Sequence, residues 1–306
     1  MKLLKTYAAV FSAMIFWSFS FIWFKMANEN YPPMTIIFLR LVFATIFLTV
    51  YLAIRKEFVS IKKEDRKLFL ILAVFEPFLY FLGESHGLTY VTSTTGSVVI
   101  STIPAVVALA AWLFFGEKLK LVNYAGILLS FAGIIVFVVD KNGALTFNFK
   151  GLLLLGLAVC SAAGFNITLG KLVGSYSPVF IVNVQNIIGV ILFLPVFLFS
   201  DLKEFINTSH SLVSFIPIIE LALFASCGAF IFFAYSIKQI GVARVNPFTN
   251  IIPVFTAVFS FIIFGNVLNF QNIIGMIIVI CGIFLTQING RRKKTDEALV
   301  LTGKTA

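Results

Sequence analysis

The chain has 306 residues, 60% of them hydrophobic and 12% charged, with 37 Phe and a mean hydropathy of +1.03. A soluble domain carries about 25% charged and 45–50% apolar residues, so a water-soluble fold is excluded and the composition specifies an integral membrane protein. The net charge of +10 does not point to nucleic acid, because the basic residues fall in short segments between apolar runs, where membrane topology accounts for them.

A helix needs about 20 apolar residues to cross the hydrocarbon core, and lipid leaves the backbone no other open-ended choice. The first predicted span, 7–27, follows Lys2 and Lys5 as a signal peptide would, but no small-residue cleavage site ends it and a retained span is expected. It carries Trp17, a residue that either stacks on a solute or packs. The second, 34–54, carries Arg40, and the third, 68–87, carries Glu76 before Pro77, with Tyr80 and Glu84 at steps of four on one broad helix face. An ionisable group inside a span is costly and defaults to a functional assignment. Glu76 is thus a candidate proton carrier or counter-charge for an amine, the alternative being a carboxylate paired with Arg40 for packing. Glu84 and His86 fall near the end of the span, where an interfacial position accounts for them.

The fourth span, 91–114, places Ser97 and Ser101 ahead of Pro104, and the ninth, 243–264, places Asn246 and Asn250 ahead of Pro253. Prolines free backbone carbonyls and such interruptions line cavities, although small polar residues also serve as contacts between helices. The fifth span, 121–140, carries a stripe of Gly126, Ser130 and Gly133, repeated at its ends by Gly275 and Gly282 in the tenth, 270–288; close backbone packing is its expected use. The sixth, 151–171, offers Asn166, the seventh, 178–199, Gln185, and the eighth, 213–236, Tyr235 and Glu220 as further candidates. Cys160, Cys227 and Cys281 all lie in apolar runs, suggesting buried thiols with no disulfide framework and no metal site. The soluble pieces, 55–67, 200–212 and the tail 289–306, are too short for a domain. With the N-terminus inside, 18 of the 23 Lys and Arg residues fall on the cytoplasmic side and four on the other, which supports ten spans with both termini cytoplasmic.

Shifting the sequence by 149 aligns 103–134 without a gap: Ile103, Pro104, Phe115, Gly116, Asn123, Gly126 and Gly133 meet Ile252, Pro253, Phe264, Gly265, Asn272, Gly275 and Gly282. Earlier, WSFSFIWFK (17–25) pairs with AGFNITLGK (163–171), and Arg40 falls opposite Gln185. The expected organisation is two five-helix repeats, 1–143 and 150–288, with a basic cytoplasmic tail at 289–306. Five is odd, so the second repeat enters the membrane inverted, a construction of secondary transporters that gives two similar states opening to opposite sides. The lysines of EKLK (117–120) are missing from the second copy, as expected when that end faces outward.

The WS pair in the first span, FLR in the second, the proline-bearing fourth span ending in FGEKL and the glycine-bearing fifth resemble the EamA group of the drug/metabolite transporter superfamily. That resemblance spans about 7–288 and implies an all-α, ten-helix membrane protein that moves small metabolites, often amino acids or related compounds and frequently outward, in the bacterial inner membrane. One departure is Asn266, where the group often has a second Glu after the glycine.

The expected function is secondary transport of a small-molecule substrate by rocking of the two halves, with protons as a candidate coupling ion, lipid as surroundings, no cofactor and no nucleic acid. Two other classes stand beside it: an intramembrane enzyme acting on lipid, for which Glu84 with His86 is the nearest cluster, and a non-transporting scaffold. Gly164–Lys171 lacks the spacing and the following Ser or Thr of a phosphate loop, and two distant histidines make no zinc motif.

Overall fold

The computed structural model describes residues 2–115, 120–138 and 148–286; Gly116, Glu117, Lys118 and the basic tail therefore lie outside the described residues. Among the described residues the chain is helical throughout, with no strand. In order it forms α1 (Lys2–Asn28), α2 (Pro33–Arg55), α3 (Arg66–Ala73), α4 (Tyr80–Tyr90), α5 (Ser93–Ile100), α6 (Ile103–Phe115), α7 (Leu121–Val138) and α8 (Phe149–Leu172). Then come α9 (Pro178–Ser200), α10 (Leu202–Asn207), α11 (Leu212–Glu220), α12 (Phe230–Ile240), α13 (Val242–Val245), α14 (Ile252–Phe264) and α15 (Phe270–Thr286). Eight helical stretches are long and apolar enough to cross a membrane, and Leu121–Phe137 and Phe270–Leu285 are shorter apolar helices. Large side chains such as Leu121, Phe199 and Leu212 stand exposed on the outer surface, as they must when lipid is the solvent. Two of the three thiols join them: Cys160 and Cys281 are exposed and only Cys227 is buried, which corrects the expectation of three buried cysteines.

Local sequence explains where helices start and stop. Pro33 and Pro178 open α2 and α9, where a missing N–H costs nothing and the fixed φ suits the first turn. The Ser177 hydroxyl accepts the Phe180 N–H at 3.2 Å, and Ser211 and Ser214 form a reciprocal capping box at the start of α11. Gly265, at φ +68°, closes α14 in the left-handed conformation that glycine tolerates. Four of the long stretches are assembled from pieces. Wide, π-type turns occupy Val74–Leu79 and Leu221–Ala229, and a 3-10 stretch, Asn246–Ile251, leads into α14.

The helices gather in two interleaved groups. In one, α1 packs along α11, the wide turn at 221–229, α12 and α14. In the other, α8 packs along α3, the wide turn at 74–79, α4, α5 and α6. The remaining pairs are α2 with α9, and α7 with α15.

Between α7 and α15 the small-residue stripe sets the separation, as its spacing suggests. A Cβ on Gly133 would stand 2.6 Å from the Val279 nitrogen, and one on Gly282 2.5 Å from the Ser130 nitrogen, so backbone meets backbone there. Asparagines close both ends. Asn123 Oδ1 accepts the Lys120 N–H at 2.8 Å while its Nδ2 donates to Leu285 O at 3.3 Å; Asn272 Nδ2 donates to Phe137 O at 2.7 Å.

Two buried tyrosines, one in each group, stand at opposite ends of α2, about 35 Å apart for a helix of this length. Tyr31, between α1 and α2, has its hydroxyl 3.1 Å from Ser214 Oγ and 3.2 Å from His210 Nδ1. Tyr176, between α8 and α9, donates to Asp65 Oδ2 at 2.7 Å and accepts the Lys62 N–H at 3.1 Å. Each bond lies inside one group, Tyr31 fastening α1 to α11 and Tyr176 fastening α8 to α3. Tyr176→Phe keeps the ring contacts with Phe69 and Phe180 but removes two hydrogen bonds, to half-buried Asp65 and exposed Lys62, and is expected to cost about 0.5–1.5 kcal/mol, read as a lower thermal midpoint in detergent. An unchanged midpoint would show that water substitutes for the hydroxyl.

Candidate functional site

Between the two groups lies a central cavity of about 50 Å³, room for a few waters. One wall, from α1, α12 and the stretch entering α14, presents Trp17, Ser20, Phe21, Phe230, Phe233, Thr249 and Ile252. The other, from the 74–79 turn, α4, α5, α6 and α8, presents Glu76, Tyr80, Phe81, Glu84, Ile100, Ile103, Ala162, Phe165 and Asn166. Arg40 enters from α2. Residues 149 apart in the sequence, Phe81 and Phe230, Glu84 and Phe233, Ile100 and Thr249, and Ile103 and Ile252, lie on the two walls, which differ in chemistry. Both carboxylates stand on one wall; the other is aromatic, with Trp17 centred 5.2 Å from Phe230 and 4.9 Å from Phe233.

The break in the third long stretch positions Glu76. Pro77 disfavours helical backbone at the residue before it, and Glu76 is extended at φ −147°, ψ 120°. Glycines on the neighbouring helices admit this turn: a Cβ on Gly189 would lie 2.4 Å from Pro77 Cγ, and one on Gly164 2.6 Å from the Phe75 ring. The Glu76 side chain is 5% exposed, lines the cavity and makes no hydrogen bond to another described residue. Glu84 differs, since the Tyr80 hydroxyl donates to its Oε1 at 2.9 Å.

Arg40, 3% exposed, donates from Nε to Ser226 Oγ at 2.9 Å and lies over the Phe81 ring with 4.3 Å to its centroid. Ser226 belongs to one group and Phe81 to the other, so the guanidinium touches both. The only ion pair within 4 Å among the described residues is Arg55–Glu57, at 3.5 Å. The alternative of a Glu76–Arg40 pair is therefore not formed at ion-pair distance, although both side chains line the same cavity.

Six of the residues singled out in the sequence, Trp17, Arg40, Glu76, Tyr80, Glu84 and Asn166, line this cavity. Glu84 corrects the interfacial expectation: it is buried and turned to the cavity with Tyr80, while His86 is half-buried and stands apart. Ser97, Ser101, Gln185, Tyr235, Asn246 and Asn250 are not part of the lining. Ser97 and Ser101 are satisfied by their own helix, donating to Thr94 O at 2.8 Å and Val98 O at 2.7 Å. Gln185, Asn246 and Asn250 are buried deeper in the bundle with side-chain atoms lacking a partner among the described residues, and Tyr235 is half-buried. Asn166 donates to Ala162 O at 2.8 Å and keeps Oδ1 free at the cavity wall. Apart from Trp17, the aromatic wall has no distinguishing signal in a chain with 37 Phe, and neither has Ser226.

The model of the EamA-like transporter family matches residues 4–139 and 149–288. An uncharacterized transporter of Bacillus subtilis, YetK, is 25% identical over 97% of this chain and 90% of its own length. An uncharacterized transporter of Archaeoglobus fulgidus is 25% identical over 92% of this chain and 97% of its own. A solved crystal structure superposes with a TM-score of 0.68 over 92% of this chain and 95% of its own, at 14% identity, and shows the same fold.

Proposed function

The chain belongs to the EamA-like transporter family, within the drug/metabolite transporter superfamily, and is an integral membrane transporter; from that premise we propose that it carries a small solute bearing both charge and an apolar part, such as an amino acid or related metabolite. The observation that carries this reading is the two-faced cavity. Arg40 suits a carboxylate by its planar, permanently charged fork. Glu76, with no hydrogen-bond or ion-pair partner among the described residues, suits an ammonium or a transported proton. The wall of Trp17, Phe21, Phe230 and Phe233 suits an apolar side chain.

The transport cycle is alternating access across this cavity. A void of about 50 Å³ holds a few waters, so a metabolite enters only as the walls move apart. The ten-helix, 5+5 inverted arrangement is supported by the two stretches that the family model matches. Reciprocal packing supports it too: α1 on α11–α12 repeats α8 on α3–α4 in the other direction, while α2–α9 and α7–α15 pair equivalent helices. The moving bodies are then the two interleaved groups, each built from both halves of the sequence, and not the halves themselves. The basic-residue bias supports cytoplasmic termini, and a bacterial inner membrane and efflux are what the family resemblance implies.

Purified protein in liposomes is expected to take up labelled amino acids or related zwitterions, with uptake stimulated by the same solute inside. No uptake across such a panel, by protein that remains folded, would count against the proposal.

A further inference from the structure

The first helix of each repeat ends on a lysine: Lys25 in the last turn of α1 and Lys171 in the last turn of α8, the aligned final residues of WSFSFIWFK and AGFNITLGK. They lie at opposite ends of the bundle, because α1 leads into the start of α2 whereas α8 leads through Tyr176 to the segment beyond the end of α2. Equivalent in sequence, they are held differently. Lys25 is half-buried, and its Nζ donates to Leu88 O in the last turn of α4. That bond joins α1 of one group to α4 of the other, across one mouth of the cavity. Ser93, at the start of α5, bridges the same mouth by donating to Phe21 O at 3.0 Å.

At the other mouth Lys171 is exposed and makes no hydrogen bond or ion pair to a described residue; there the two groups are joined instead by Lys238, in the last turn of α12, whose Nζ donates to Tyr176 O at 3.2 Å, so the state described is closed at both ends. The shift that relates Phe81 to Phe230 places Ile237, in the last turn of α12, where α4 has Leu88. Ile237 O accepts the Gly241 N–H at 2.8 Å, and a carbonyl oxygen has a second lone pair to offer.

We propose that Lys25 and Lys171 are alternately engaged latches. Lys25 holds its mouth shut in the state described; in the opposite state Lys171 donates to the last-turn carbonyls of α12 around Ile237, and Lys25 lets go. This rests on the alternating-access reading above. The chemistry suits a reversible closure. An ammonium on a flexible stem binds the negative end of a helix without requiring a buried counter-ion, so release leaves no orphaned charge behind. The hydroxyl bonds of Tyr31 and Tyr176 differ in kind, because they lie within one group and would persist through the cycle.

The test uses the full chain with Cys160, Cys227 and Cys281 replaced and one reporter, Ile100→Cys, in the cavity lining. A membrane-impermeant maleimide is applied to right-side-out cells and to inverted vesicles. Lys25→Met is expected to shift the labelling ratio toward the Lys25 side by about fivefold, the effect of losing one ordinary hydrogen bond from a two-state balance, and Lys171→Met to shift it the opposite way. Tyr31→Phe is expected to lower thermal stability with the ratio unchanged. Shifts in the same direction for both lysine variants, or none for either while wild type labels from both sides, would overturn the latch and leave alternating access standing. Wild type labelled from one side only, with and without solute, would overturn alternating access itself.

Discussion

Glu76→Gln is expected to lower transport by about tenfold or more, equivalent to at least ~1.4 kcal/mol at the binding or translocation step, with folding intact. Gln keeps the size and shape of the side chain and removes only its charge and its exchangeable proton. Folding should tolerate this, because Glu76 makes no ion pair within 4 Å and no hydrogen bond to another described residue. Transport should not, because this is the cavity-facing carboxylate with no hydrogen-bond or ion-pair partner among the described residues. The kinetics separate its two roles. If Glu76 carries a proton, the variant loses the pH dependence of transport. If it pairs with an ammonium, KM rises for aminated solutes and changes less for solutes lacking the amine. Full transport with the original pH dependence would contradict both. Glu84→Gln is expected to have the smaller effect, since Tyr80 already satisfies one of its oxygens at 2.9 Å.

Gly282→Leu is expected to give the largest loss of stability. A Cβ there would sit 2.5 Å from the Ser130 nitrogen, 2.6 Å from its Oγ and 2.8 Å from Gly126 O, and two of these three atoms are backbone that cannot turn aside. The helices must separate, which also stretches the Asn123–Leu285 and Asn272–Phe137 hydrogen bonds at the two ends of the seam. Overpacking of this kind costs about 1–3 kcal/mol or more, to be read as a lower thermal midpoint in detergent and a smaller folded fraction. Gly156→Leu is the matched control, because nothing lies within 4 Å of a Cβ at that position. Equal midpoints for the two variants would show that α7 and α15 are not held by close backbone contact.

Eight of the ten expected spans were legible because lipid imposes a length and a composition on each, while those expected at 121–140 and 270–288 are shorter apolar helices; the small-residue stripe was legible because close packing favours glycine at that spacing. The breaks were legible only in part. Pro77 announces the turn at Glu76, but the wide turn at 221–229 contains no proline and had no sequence signal. That turn carries Ser226, and so the anchor of Arg40 stayed hidden. Glu84 was misplaced at the interface because the span was ended at 87, whereas α4 continues to Tyr90 and keeps Glu84 inside the bundle. Serines mislead for a physical reason: a hydroxyl in a helix can satisfy itself on the preceding turn, as Ser97 and Ser101 do. The aromatic wall was invisible because 37 phenylalanines give no contrast between cavity and packing. Interleaving could not be read from the repeat at all. Duplication defines which halves are equivalent, but contacts decide which helices move together, and α1 packs along α12 and α14 of the other half.

The most direct test of the central claim is solute counterflow in proteoliposomes, wild type beside Glu76→Gln. Wild-type protein is expected to accumulate labelled zwitterion against a preloaded pool of the same solute, and the variant, folded to the same midpoint, to lose most of this exchange. Equal exchange by both proteins, or none by the wild type across amino acids and related zwitterions, would contradict the assignment of this cavity as the transport site.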